Sequence, residues 1–126
     1  MTGEPFPDPE TKATAIRIGN PASWTRALDA RDASGGLIHA VTDRDILGAY
    51  RFLARQVGVF VELASAASVA GLLQSADAGR VPAGSTVVCT VTGHGLKDPE
   101  WAISTAPAPT TIPADVVLAA RTLDLA

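Results

Sequence analysis

An uninterrupted run of β-branched and small residues, which ends in a glycine-rich turn, constrains the fold more than any other feature of this chain. Residues 87–92 read Val-Val-Cys-Thr-Val-Thr, and Gly93-His94-Gly95 follows directly. Such a run favours a buried strand, and we expect a strand from Ser85 to Val91. In open α/β sheets, ligands bind beyond the carboxyl ends of the strands. The turn at residues 92–95 is therefore a candidate ligand site.

The rest of the chain alternates between strand and helix patterns. The expected strands are Leu37–Val41 and Val59–Val61, and Ala13–Ile18 is a short strand or a buried turn. The expected helices run from Asn20, as N-cap, to Ser34, from Thr42 to Val57, from Ala64 to Ala78 and from Asp115 to Leu123. The second of these is expected to begin with a capping box of Thr42 and Asp45, to carry an apolar stripe and to end at Gly58. This order predicts an α/β fold with a partial, mostly parallel sheet flanked by helices. We expect residues 1–126 to form one segment, in which residues 1–12 are extended and 106–114 are a proline-rich linker.

The helix predicted from Ala64 carries no charged residue as far as Ser75. A helix without a charged face is usually covered on most sides, which requires packing neighbours. Apolar residues make up 47% of the chain and charged residues only 18%, so the composition is that of a globular protein rather than a disordered one. Both observations favour a segment that packs within a larger protein.

Charge and cysteine content exclude several classes of function. The net charge is −3, and the basic residues are scattered, with only two lysines, so we expect no binding to nucleic acid. The single cysteine, Cys89, cannot form an internal disulfide, which favours a reducing cytoplasm. The first ten residues contain three prolines and lack the apolar core of a signal peptide. No apolar run is long enough to span a membrane.

Three segments carry a resemblance to a known family. They are Ile-Arg-Ile-Gly-Asn-Pro at 16–21, Glu-Leu-Ala-Ser-Ala-Ala-Ser at 62–68 and Thr-Gly-His-Gly-Leu-Lys-Asp at 92–98. Together they resemble the C-terminal part of the threonine synthases, which are pyridoxal-phosphate enzymes of fold-type II (tryptophan synthase β-like). The resemblance extends from Pro5 to about Thr105. The chain departs from the family at Leu63, where the family has a proline that makes a rigid turn.

The resemblance implies conversion of O-phospho-L-homoserine and water to L-threonine and phosphate, a carbon–oxygen lyase reaction that uses pyridoxal phosphate. It implies that the Schiff-base lysine and the loop that holds the cofactor phosphate lie in an N-terminal portion of the same enzyme, so this segment alone is expected to be inactive. The complete enzyme is expected to be a homodimer. Cysteate synthase and threonine dehydratase share the architecture. The alternative is a non-catalytic relic, or a partner that docks on another pyridoxal-phosphate subunit.

The resemblance assigns cofactor contacts to Thr92, Gly93 and Glu62, and we assign no catalytic residue and no metal ligand. Thr92 would place a neutral hydroxyl on the pyridine nitrogen, whereas from the residues alone it could simply end a strand. Gly93 allows the backbone to come close to a planar ligand or to turn sharply. Glu62 would lie near the cofactor, or would interact as a carboxylate with the N-terminus of the helix that follows.

Two further residues near this turn have more ordinary interpretations. His94 is a candidate acid or base. One histidine in a glycine-rich loop is weak evidence for that role, so we expect His94 to line the pocket or to make a structural hydrogen bond. Lys97 is a candidate for the Schiff-base lysine that a pyridoxal-phosphate enzyme needs. Nothing around it in the sequence would desolvate its amine, and the family's lysine lies far upstream. Lys97 is therefore expected to be structural.

Overall fold

The computed structural model describes residues 4–125. Within this range the chain forms five α-helices, one π-helical turn and two short 3₁₀ helices. The α-helices are α1 (Trp24–Ser34), α2 (Asp43–Phe52), α3 (Leu63–Asp77), α4 (Pro99–Thr105) and α5 (Val116–Thr122). The π-helical turn, Leu53–Val57, continues α2, and the 3₁₀ helices are Thr14–Ile16 and Gly95–Lys97. No helix within residues 4–125 has the length and apolar character needed to cross a membrane.

Local capping fixes both ends of the α2 segment, as the sequence predicts. The Thr42 hydroxyl accepts a hydrogen bond from the Asp45 amide at 3.2 Å, and the Asp45 carboxylate accepts one from the Thr42 amide at 3.1 Å. This reciprocal pair is a capping box with Asp in the place of Glu. After the π-helical turn, Gly58 adopts a left-handed conformation with φ of 74° and ends the helical segment.

The core lies between α2 and α3. From α2 and the turn after it, Ile46, Ala49 and Leu53 are buried. The buried apolar residues of α3 are Leu63, Ala66, Val69 and Ala70. Their spacing of three and four residues places them on one stripe of α3, which packs against the matching stripe of α2. The charge-free sequence of α3 is thus explained on this side by burial.

The residues before α1 are tied to the core and to α4. Ala13 is fully buried, and the Thr11 hydroxyl donates to an Asp43 carboxylate oxygen at 2.5 Å. The Lys12 amide donates to the other oxygen at 3.1 Å, while its ammonium group lies 5.0 Å from the centre of the Trp101 ring. These contacts fix this segment across the start of α2. Residues 14–16 form a 3₁₀ helix, so the strand alternative is wrong. The segment turns as the other alternative states, but only Ala13 is buried and residues 14–18 are exposed.

Three helices differ from the sequence-based expectation. The N-cap of α1 is Ser23 and not Asn20, so the helix begins at Trp24 and not at Pro21. The Trp24 amide bonds the Pro21 carbonyl at 3.3 Å, which shows that a turn precedes the helix. Helix α4 was not predicted, although Pro99 stands at its first position, where a missing amide hydrogen costs least. The terminal helix is shorter than expected and is capped by Asp115.

The predicted sheet is not observed in the described part of the chain. There, the only β-type pairing is an isolated antiparallel bridge between Val61 and His94. Residues 37–41 and 86–91 are not helical, and no backbone–backbone hydrogen bond joins either segment to another described residue. A strand requires a hydrogen-bonded neighbour, and the described residues do not supply one to either segment. The predicted sheet is therefore not confirmed for the described residues.

Candidate functional site

The glycine-rich turn lies beside the segment that leads into α3. The Glu62 amide donates to the Gly93 carbonyl at 3.0 Å, and the Gly95 amide donates to the Phe60 carbonyl at 3.2 Å. These two bonds flank the Val61–His94 bridge. They align the two stretches of backbone antiparallel over about three residues. The start of α3 and the turn at 92–95 are therefore held in one place.

Ser65, in the first turn of α3, is hydrogen-bonded to the turn itself. Its hydroxyl oxygen accepts a hydrogen bond from the Gly93 amide at 2.6 Å, and both residues are buried. The same oxygen lies 3.2 Å from Thr92 Oγ1. Thr92 itself is exposed. One buried hydroxyl therefore supports both the backbone of the turn and the side chain that the turn presents.

Glu62 lies directly against Gly93. It is the N-cap residue of α3, with φ of −71° and ψ of 158°, yet its side chain makes no capping hydrogen bond. A Cβ atom added to Gly93 would overlap the Glu62 carboxylate and Cγ. A side chain at residue 93 would therefore force the Glu62 side chain to shift, and this contact rather than the backbone favours glycine, since φ of Gly93 lies outside the left-handed region. The Glu62 carboxylate therefore lies both at the N-terminus of α3, where the helix dipole favours a negative charge, and beside the turn at residues 92–95.

A second serine of α3 supports the segment that precedes the turn. The Ser68 hydroxyl lies 3.0 Å from the Thr90 carbonyl and 3.1 Å from the carbonyl of Ser65, and it can donate to either. The half-buried Cys89 thiol lies 4.0 Å from the Ser68 carbonyl. The face of α3 that carries the two serines therefore contacts the backbone from residue 89 to residue 93.

Aromatic packing holds the far side of the turn. The Phe60 ring covers Gly95, where a Cβ atom would overlap it. The Phe60 ring meets the His94 ring edge-on, with centroids 5.6 Å apart, and Tyr50 meets Phe60 at 6.5 Å. Burial raises the pKa of the Tyr50 hydroxyl above its ordinary value, and the nearby charge of Asp98 raises it further. Both effects favour the neutral phenol in this cluster.

His94 and Lys97 have the positions of structural residues. His94 Nδ1 accepts a hydrogen bond from the Leu96 amide at 3.1 Å and so caps the short 3₁₀ helix that follows. This use of the ring agrees with the hydrogen-bonding role expected from the sequence. Lys97 ends that 3₁₀ helix and is exposed, and no ion pair to it is found among residues 4–125.

The structure brings Thr92, Gly93 and Glu62 together, as the sequence-based assignment requires. It adds Ser65, which the sequence reasoning did not single out. Ser65 and Ser68 are spaced by three residues on an otherwise apolar, charge-free helix. This pair of serines on one face of α3 could have indicated a contact with another segment, because a buried hydroxyl needs a hydrogen-bond partner.

The residues present fit the ring-nitrogen end of pyridoxal phosphate. Thr92 is an exposed residue and offers a neutral hydroxyl whose oxygen is already positioned by Ser65. Gly93 presents backbone without a side chain next to it. A hydroxyl suits an unprotonated pyridine nitrogen, since it can donate a hydrogen bond to the nitrogen lone pair. Nothing in this arrangement supplies a buried amine that could attach the cofactor covalently.

Comparison with known proteins agrees with this reading. A family described as "Pyridoxal-phosphate dependent enzyme" matches residues 1–93. The threonine synthase of Mycobacterium leprae is 56% identical over 125 residues, which cover 99% of this chain and 35% of that protein. The enzyme of Synechocystis sp. is 60% identical over 103 residues, or 82% of this chain and 26% of that protein. The threonine synthase of Methanocaldococcus jannaschii is 49% identical over 119 residues, with shares of 94% and 29%.

The chain therefore spans about a third or less of the length of these curated relatives. The resemblance to the threonine synthases stated from the sequence is confirmed, and so is pyridoxal phosphate as the cofactor of the family. The match also supports the fold-type II assignment, although the parallel sheet is not seen in residues 4–125. Since the family match covers residues 1–93 of 126, this chain belongs to the family of pyridoxal-phosphate dependent enzymes.

Proposed function

We propose that this chain is the C-terminal part of a threonine synthase, which converts O-phospho-L-homoserine and water to L-threonine and phosphate. The observation that carries the proposal is the hydroxyl of the exposed residue Thr92, held by Ser65 at the turn where the chain resembles these enzymes. The relatives named above, all threonine synthases, support the choice of reaction. In this account the segment forms the ring-nitrogen side of the cofactor pocket.

Thr92 is the residue proposed to contact the pyridine nitrogen. When bound, pyridoxal phosphate supplies an electron sink for the substrate carbon skeleton. A carboxylate on the ring nitrogen would keep that nitrogen protonated and strengthen the sink, whereas the Thr92 hydroxyl can donate to an unprotonated nitrogen. Thr92 thereby moderates the sink, and this limits the range of bonds that become labile.

Gly93 and Glu62 are proposed to line the same pocket. Gly93 lets the backbone approach the cofactor without a side chain in between, and its amide is held by Ser65 at 2.6 Å. The Glu62 side chain packs on Gly93 from the other side. Glu62 would therefore fix the turn and add a negative charge near the ring, without taking part in a chemical step.

The remaining cofactor and substrate contacts are proposed to come from an N-terminal portion of the same enzyme. An open cleft of about 890 Å³ lies over α3, between residues 37–41 and 87–90. Both bordering segments have free backbone groups within the described range, and Val88 is 87% exposed. An extended apolar segment from the N-terminal portion would pair with them and complete the sheet that the sequence predicts.

The proposal extends to the activity, the assembly and the cellular location of the enzyme. The chain by itself is expected to be inactive, because the Schiff-base lysine and the phosphate loop would belong to the N-terminal portion. The complete enzyme is proposed to act as a homodimer and as a carbon–oxygen lyase. The free, half-buried thiol of Cys89 suits the reducing cytoplasm in which we place the reaction.

A chimera provides the test. This chain would replace the homologous segment of the Mycobacterium leprae threonine synthase, to which it is 56% identical. We expect the chimera to bind pyridoxal phosphate and to release phosphate and threonine from O-phospho-L-homoserine, while the isolated chain does neither. Thr92→Val should lower turnover, and Thr110→Val, in the exposed linker, is the matched control.

Two outcomes would contradict the proposal. A folded chimera that binds pyridoxal phosphate but does not turn over O-phospho-L-homoserine would exclude the threonine synthase reaction. It would favour the non-catalytic alternative, in which the segment docks on another subunit. Turnover by the isolated chain would show that no N-terminal portion is needed.

A further inference from the structure

We propose that Ser65 is a positioning residue that sets the direction of the Thr92 hydroxyl hydrogen, so that Thr92 donates to an unprotonated ring nitrogen. This inference rests on the proposed function and deepens it. Ser65 does not touch the cofactor in this account. It acts through Thr92, whose oxygen lies 3.2 Å from its own.

The hydrogen-bond inventory of Ser65 carries the argument. A serine hydroxyl has one hydrogen to donate and two lone pairs to accept with. The Gly93 amide takes one lone pair at 2.6 Å. Among the described residues, Thr92 Oγ1 is the only other polar atom hydrogen-bonded to this hydroxyl. The hydrogen of Ser65 therefore has one acceptor in the structure, which is Thr92.

The opposite direction would leave a buried donor without a partner. If Thr92 donated to Ser65, the hydrogen of Ser65 would have no acceptor among the described residues. Water could not easily replace that acceptor, because only 3% of Ser65 is exposed to solvent. Buried polar hydrogens are rarely left unpaired because the desolvation penalty is not recovered. Donation from Ser65 to Thr92 is thus the favoured direction.

This direction determines what Thr92 offers to a ligand. With one lone pair engaged by Ser65, the hydrogen of Thr92 is free to point away from the buried side. Thr92 is an exposed residue, so this hydrogen can be donated to a ligand that binds on its solvent side. An unprotonated pyridine nitrogen accepts such a hydrogen, whereas a protonated one would need an acceptor instead. Ser65 thereby favours the unprotonated ring.

The test uses the chimera described above, loaded with pyridoxal phosphate labelled with ¹⁵N in the ring. The nitrogen resonance distinguishes a hydrogen-bonded neutral ring from a protonated one. We expect the neutral, hydrogen-bonded signal in the unchanged chimera. Thr92→Val and Ser65→Ala should both move the signal away from that position, and Ser65→Ala should weaken cofactor binding by roughly 3- to 10-fold, the loss of one hydrogen bond.

Ser68→Ala is the matched control. Ser68 lies one turn further along the same face of α3 and supports Thr90, not Thr92. It should change neither the nitrogen signal nor cofactor affinity by more than about twofold. Because Ser65→Ala could disturb folding, Ser65→Cys is measured beside it. Cysteine preserves the size of the side chain but donates weakly, so it should move the signal in the same direction by a smaller amount.

Three results would overturn the inference. The first is a protonated ring nitrogen in the unchanged chimera, which would point to the Glu62 carboxylate instead. The second is a nitrogen signal in Ser65→Ala and Ser65→Cys that matches Ser68→Ala. The third is a chimera that binds no pyridoxal phosphate, which would overturn the proposed function too. A chimera with the expected signals but no threonine product would contradict the reaction and leave the role of Ser65 standing.

Discussion

The Ser65 hydroxyl accepts a hydrogen bond from the Gly93 amide at 2.6 Å, and both residues are buried. The two residues are 28 positions apart in the sequence. This bond joins the first turn of α3 to the glycine-rich turn that presents Thr92. Helix α3, which forms half of the core, therefore also fixes the geometry of the candidate site. A substitution that weakens the Ser65–Gly93 hydrogen bond should change both the stability of the chain and the position of Thr92.

Removing the Ser65 hydroxyl should destabilise the chain. In Ser65→Ala, the buried Gly93 amide loses its acceptor, and an unsatisfied buried donor costs about 1–3 kcal/mol. The free energy of unfolding, measured by urea denaturation, should fall by that amount. Ser68→Ala should cost less, because the Thr90 carbonyl is exposed and can bind water instead. Equal losses in the two variants would show that the bond to Gly93 has no special role.

Gly93 should not tolerate a side chain while Glu62 is present. The new methyl group in Gly93→Ala would overlap the Glu62 side chain, and such overpacking typically costs about 1–3 kcal/mol. In a Glu62→Ala background the same change should cost much less, because the overlapping atoms are gone. Urea denaturation of the four proteins in this double-mutant cycle measures the coupling.

Gly48→Ala is the control for that cycle. Gly48 lies in α2, and a Cβ atom there would meet nothing within 4 Å. Alanine favours the helix over glycine, so this variant should be more stable by about 0.5–1 kcal/mol. We therefore expect Gly93→Ala to lower the free energy of unfolding and Gly48→Ala to raise it. A coupling energy near zero between Gly93→Ala and Glu62→Ala would contradict the close contact.

The capping box at the start of α2 should contribute measurably to stability. Thr42→Ala removes the side-chain acceptor of the Asp45 amide, and loss of such an N-cap costs about 0.5–2 kcal/mol. Thermal and urea unfolding should both report the loss. Thr110→Ala, in the exposed proline-rich linker, should leave stability unchanged. A Thr42→Ala protein as stable as the unchanged chain would show that the cap does not form in solution.

Acid should destabilise the chain partly through Asp43. The Thr11 hydroxyl and then the Lys12 amide donate to its carboxylate and hold the pKa of Asp43 below its ordinary value of 3.8. A lowered folded-state pKa means that the unfolded chain binds more protons. The contribution of this group is therefore complete above pH values near 3.8, and it is lost as the pH falls through the lower, folded-state pKa.

Thr11→Ala tests this linkage, since it removes the largest cause of the shift. The slope of unfolding free energy against pH should become shallower below about pH 5 in this variant, as the pKa of Asp43 returns toward the ordinary range. Asp43→Asn should abolish the contribution altogether. Thr110→Ala should retain the slope of the unchanged chain. An identical slope in Thr11→Ala would show that the hydroxyl does not stabilise the carboxylate.

Features determined by neighbouring residues could be predicted from the sequence. The capping box depends on Thr42 and Asp45, three residues apart, and the apolar stripe of α2 was correctly placed between that box and Gly58. The charge-free helix was predicted within one residue at each end, as Leu63–Asp77. In these cases the residues whose interactions determine the feature all belong to one helix and its caps.

Features that depend on distant partners could not be predicted in the same way. The contact of Ser65 with Gly93 joins two elements that no local pattern relates, and only the polar pair on α3 hinted at it. The start of α1 was misplaced because a turn bonded to Pro21 takes precedence over the cap signal at Asn20. The sheet prediction is not confirmed for residues 4–125, because strand composition does not specify a hydrogen-bonding neighbour.

The position of Thr92 relative to the bound cofactor is the most direct test of this account. A crystal structure of the chimera with pyridoxal phosphate would measure the distance from Thr92 Oγ1 to the ring nitrogen. We predict a hydrogen bond of about 2.7–3.2 Å, with the Ser65 hydroxyl still on the far side of Thr92. A ring nitrogen that faces the Glu62 carboxylate, or a cofactor bound away from the turn at 92–95, would contradict the account.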